Sequence, residues 1–209
     1  MPIGDRRLKL EEYKEVNSFW FGELDENGIE APQRAQSWFR KSDEFDAEIR
    51  HRFLEVYKKA KDDQLLSWET KAKSALALVI VLDQFPRNMF RDSAKAFATD
   101  SHALKISQSA ISKGFDGKLP FVQKYFLYMP FMHSEDLSVQ RQSLELFQSL
   151  IDQSESEKDR ARYEDIFTYA ERHYKIIEQF GRYPHRNEVL GRESTQEEVQ
   201  FLKTPGSSF

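Results

Sequence analysis

The chain has 209 residues and a formal net charge of −4, from 31 Lys and Arg against 35 Asp and Glu. That balance argues against a broad nucleic-acid footprint or a polybasic membrane anchor. The absence of cysteine excludes disulfide frameworks, thiolate-ligated zinc, iron–sulfur clusters and any cysteine nucleophile.

Gly and Pro together make about 7% of the chain, against roughly 12% in average proteins, too few for closely spaced strands. An all-helical fold is expected. Near the N-terminus Tyr13, Val16 and Trp20 give a helical stripe, and Trp38-Phe39 adds aromatic bulk. Ser42 is placed to cap a helix carrying Phe45, Ile49, Phe53, Val56, Tyr57 and Ala60, with Asp43 and Glu44 in its first turn. Ala75 to Leu82 is apolar on every face, and its alanines favour a buried helix over a buried strand. These eight residues are the longest strictly apolar run, far short of the roughly 20 that cross a bilayer. With no apolar leader pattern at the start, a soluble cytoplasmic chain is expected.

Pro86 should end or kink that helix, because the residue before proline is disfavoured in helical geometry. Thr99 or Asp100 can cap a helix that stops at Gly114. Pro120 suits the first turn of the next, ending near Met129-Pro130. Ser134 opens another along Leu137, Leu144, Phe147 and Ile151. Ser154 with Glu157 matches a capping box for the longest helix, which ends at Gly181, and Ser194 with Glu197 repeats the pattern. No linker or composition shift divides the chain, so residues 1–209 read as a single all-helical domain. Consecutive helices on short turns resemble a helical-hairpin array.

Three segments hold polar residues that core packing does not explain. In Asp83-Gln-Phe-Pro-Arg-Asn-Met-Phe-Arg91, the arginines suit either the helix's last carbonyls and Asp83 or an anionic ligand. Gln140 interrupts an apolar stripe one turn after Asp136. His173 lies inside another stripe, where an imidazole must be hydrogen-bonded or lose its charge. Beyond it, Phe180-Gly-Arg-Tyr-Pro-His-Arg-Asn187 is dense in planar donors that suit a carboxylate or phosphate, or a loop latched to neighbouring acids. His133-Ser-Glu135 matches part of a zinc-deaminase signature, but the remaining ligands there are cysteines, which this chain lacks. Dinucleotide, Walker, nucleophile-elbow and zincin motifs do not occur. No metal and no cofactor are expected.

The blocks Trp20-Phe-Gly22, Asp83-Gln-Phe-Pro-Arg-Asn88, Phe97-Ala-Thr-Asp100, His133-Ser-Glu-Asp136, Phe180-Gly-Arg-Tyr-Pro-His-Arg-Asn187, Leu190-Gly-Arg192 and Pro205-Gly-Ser-Ser-Phe209 span nearly the whole sequence. Through them the chain resembles the bacterial domain of unknown function 924 family. That resemblance implies an all-α, tetratricopeptide-like superhelix and no established activity.

Two functions compete. In the first, Asp83, Arg87, Gln140, Arg182 and Arg186 bind a small anionic ligand. Were the site catalytic, His173 or His185 would exchange the proton, and Asp136 would orient it. In the second, the chain is a protein-interaction scaffold whose groove takes a peptide and whose polar motifs only hold turns together.

Overall fold

The computed structural model describes residues 3–208, with side chains from residue 12 onward, and among these the regular elements are helices, with one isolated bridge, Leu24 to Glu30, besides. Among the described residues no helix is long and apolar enough to cross a membrane. The backbone forms two compact units. Of the described residues, 3–91 and 95–130 make the first, and 92–94 and 131–208 the second.

The first unit contains α1 (Ile3–Phe21), α2 (Pro32–Phe39), α3 (Asp43–Lys61), α4 (Ala72–Val79), α5 (Phe85–Met89), α6 (Asp100–Ser112) and most of α7 (Phe121–His133). Ser42 caps α3 as expected, its hydroxyl accepting from the Phe45 N–H at 3.3 Å. Residues 74–82 are buried throughout, which is why this stretch needs no polar face. Around it Phe53 stacks on Phe85 at 4.8 Å, Trp38 meets Phe126 edge-on at 4.7 Å, and the Trp38 indole donates to the Trp20 carbonyl at 2.8 Å. Tertiary packing of this aromatic core, rather than helix propensity, holds the short elements.

Pro86 does not break the helix. A π turn, Ile80–Gln84, joins α4 to α5; Phe85 keeps helical angles (φ −57°, ψ −37°) and donates its N–H to the Ile80 carbonyl. The widened ring shifts the hydrogen-bond register just where proline has no N–H to give. Pro130 likewise sits inside α7, which continues to His133.

The second unit is built on α8 (Leu137–Asp152) and α9 (Glu157–Phe180), a helical hairpin, followed by a loop, a 3-10 turn (Pro184–Arg186) and α10 (Gln196–Phe201). Three N-caps fall one or two residues beyond the expected serines. Asp136 caps α8, Ser156 caps α9, and Thr195 with Glu198 forms the capping box of α10. Gly181 takes the left-handed conformation at φ +68° and ends α9 as the sequence indicates. Ile176, Ile177 and Tyr183 form this unit's apolar cluster, with Leu137, Phe180 and Phe201 packed against it.

Candidate functional site

The loop after Gly181 is fixed by Tyr183, whose side chain is fully buried. At the end of α7 the last carbonyls have no helical partners and must be satisfied from elsewhere. Tyr183 donates its hydroxyl to the Met132 carbonyl at 2.5 Å. Gln140 Nε2 lies 2.7 Å from the Met132 carbonyl, the Ser134 carbonyl and the Tyr183 hydroxyl, and its two N–H groups are shared among them. The inward-facing Gln140 therefore closes a helix C-terminus.

Around the Tyr183 ring stand nitrogen-bearing side chains from two further stretches of the second unit. The Arg186 guanidinium lies 4.5 Å above the ring centroid, and the His173 and His185 rings are each 5.6 Å away. The His133 ring is 6.3 Å from that of His173. His173 Nδ1 lies 2.7 Å from the Tyr169 carbonyl. A carbonyl can only accept, so Nδ1 carries the proton and Nε2 is the ring's acceptor. Burial pushes the His173 pKa down to about 3, against the Tyr169 hydrogen bond, and the charges of His133, Arg186 and His185 push it the same way as burial. The imidazole is neutral at physiological pH.

Glu135 ties the loop down. Its carboxylate accepts from Arg192 at 2.7 and 3.0 Å and from the Tyr183 N–H at 2.8 Å. Burial raises its pKa, but the Arg192 and Tyr183 hydrogen bonds outweigh that and hold it below the usual carboxylate range. On the far side Arg182 makes paired bonds of 2.6 and 2.8 Å to Glu198, whose pKa falls to about 2, chiefly through Arg182.

The expected site residues thus divide. Gln140, His173, His185 and Arg186 come together at Tyr183. Asp136 is exposed and spends its carboxylate on the Ser138 hydroxyl and the N–H groups of Val139 and Ser138, which lower its pKa, the hydroxyl most. Arg182 is committed to Glu198. Asp83 and Arg87 lie in the first unit. There Arg87 bonds the Asp83 main-chain carbonyl and pairs with both oxygens of Asp100 at 3.0 Å, while Arg91 pairs with Asp46. Sequence reasoning missed Tyr183 as the organising residue, and Arg192 and Glu198 as latches. A tyrosine two residues past a C-terminal glycine, and Thr195 three residues before Glu198, were the available signals. Among the described residues no three His, Asp or Glu side chains are grouped to hold a metal ion.

The fold is that of an all-α protein in which a motif-rich loop closes a helical hairpin around a nitrogen-rich cluster. The chain belongs to the family described as bacterial protein of unknown function (DUF924), whose model matches residues 16–206. It is similar to a solved structure of a protein of unknown function from Agrobacterium tumefaciens, with 34% identity, 93% of this chain and 98% of that one covered, and a TM-score of 0.75. No curated protein matches it.

Proposed function

We propose that the protein binds a small anionic ligand at the Tyr183 cluster, with Arg186 and His185 as donors to the anion and the neutral His173 as a hydrogen-bonding wall. The observation that carries this reading is the gathering of Arg186, His185 and His173 around one tyrosine ring. Half-buried His185 gives the cluster its access to solvent. Guanidinium groups recognise planar acceptors such as carboxylate or phosphate through their edge N–H groups and pack their faces on aromatic rings. A base with a pKa of about 3 takes up protons poorly near neutrality, so the geometry supports binding better than proton transfer through His173.

The test is a thermal-shift series with phosphate, pyrophosphate, sulfate and di- and tricarboxylates on wild type and Arg186→Gln. A ligand at 100 times its dissociation constant adds about 2.7 kcal/mol of stability. The reading expects a dose-dependent rise in Tm with at least one anion that Arg186→Gln abolishes. Equal shifts in both proteins, or none with any anion, would overturn it in favour of a scaffold whose polar motifs only brace the loop.

A further inference from the structure

A cleft of about 870 Å³ opens in the first unit among α1, α2 and α3, within the size range of small-molecule sites. Its floor is aromatic. Phe19 stacks on Phe45 at 5.5 Å, and two guanidinium groups face the Phe19 ring, Arg52 at 4.7 Å and Arg34 at 5.8 Å. Their situations differ. Arg52 is engaged by Glu15 and Glu48, each at 3.1 Å. Arg34 is half-buried and, among the described residues, has no carboxylate partner; its Nε lies 3.6 Å from where a Cβ on Gly22 would stand. Gly22 has φ +67°, so a side chain there would be strained, with its Cβ in ordinary contact with Arg34. The cleft is also lined by Lys14 and Ser37, and by Glu23 as a third acid.

We infer that this cleft is a second binding site, taking a singly charged carboxylate with a flat apolar body: the carboxylate pairs with Arg34 and the body packs against the half-buried Phe45. The planar guanidinium matches a carboxylate edge-on. The charge balance sets the class. Glu15, Glu23 and Glu48 line the cleft against Lys14, Arg34 and Arg52, so the lining has no net positive charge to draw a dianionic phosphate, and a monoanion that pairs with Arg34 alone fits it better. The site shares no residue with the Tyr183 cluster and stands or falls independently of it.

Isothermal titration calorimetry with phenylacetate, phenylalanine and inorganic phosphate tests the assignment on the full chain. Phenylacetate or phenylalanine binds saturably and more tightly than phosphate, and Arg34→Gln weakens the binding by about tenfold or more while leaving Tm unchanged. If phenylalanine is the tighter of the two, the source is an amino acid whose ammonium meets an acid of the cleft; if phenylacetate is tighter, it is a simple aromatic acid. Both results support the carboxylate. In backbone NMR spectra of the wild type, the Gly22 and Arg34 signals move with the ligand, a readout that needs no variant to fold. No binding by either carboxylate, phosphate binding at least as tightly, or an unchanged affinity in Arg34→Gln would overturn the inference.

Discussion

Replacing His173 with phenylalanine removes a titrating group from a buried position, and the structure sets the size of the effect. In the unfolded chain the imidazole has its ordinary pKa of 6.5, and in the folded chain about 3. Between these values the unfolded state binds a proton that the folded state refuses. The contribution of His173 is therefore full above pH 6.5 and is lost as the pH falls, at up to about 1.4 kcal/mol per pH unit. Between pH 7 and pH 5 the loss from this residue is about 2 kcal/mol. Glu198, lowered from 4.5 to about 2, acts only in more acid solution, so this window separates the two groups. Urea unfolding of wild type and His173→Phe at pH 7, 6 and 5 measures the difference. Wild type should lose about 2 kcal/mol more than the variant across the window. Parallel losses in the two proteins would show that His173 is not held neutral in the folded state, and the tautomer assignment would fail with it.

Further consequences concern the latches and turns. Glu198→Gln should flatten the pH dependence of stability between about 4.5 and 2, because the stability supplied by the Arg182 pair is present above the ordinary carboxylate pKa and lost as the pH falls toward 2; acid titration of Tm in wild type and variant reads this directly. Tyr183→Phe removes the hydroxyl that serves the Met132 carbonyl and Gln140, and should cost about 1–3 kcal/mol in chemical denaturation. Gly28→Ala places a Cβ 2.7 Å from Pro120 Cβ at φ +73°, and should destabilise by about 1–3 kcal/mol in the same assay, through overpacking and backbone strain together.

The helices were legible in the sequence wherever pattern and punctuation agreed, as at Ser42, Gly181 and the all-apolar stretch ending at Leu82. The misreadings share one cause, that hydrogen-bond register is a three-dimensional property. A π turn absorbed Pro86, and Asp136, Ser156 and Thr195 took the caps that nearby serines could equally have filled. The candidate site was half legible. His173 and Gln140 stood out because each breaks an apolar stripe, and the stripe does turn inward: both are at least 95% buried. The partners of the polar residues could not be read, since Arg192 with Glu135 and Arg182 with Glu198 are joined only by the loop's path. Asp136 drew attention as a carboxylate beside a polar core position, whereas its chemistry is that of a helix cap. For Asp83 and Arg87, pairing within their own segment was the reading weighed against a ligand, and Asp100 completes that network from outside the motif.

The most direct test of the anion-binding account is imidazole ¹H–¹⁵N NMR of the wild type during titration with the anion that gives the largest thermal shift. The account predicts that His185 signals move saturably with the Arg186 side-chain signals, while His173 stays a neutral Nδ1–H tautomer from start to finish. Unmoved His185 and Arg186 signals at saturating anion, or a His173 that becomes protonated on binding, would contradict it.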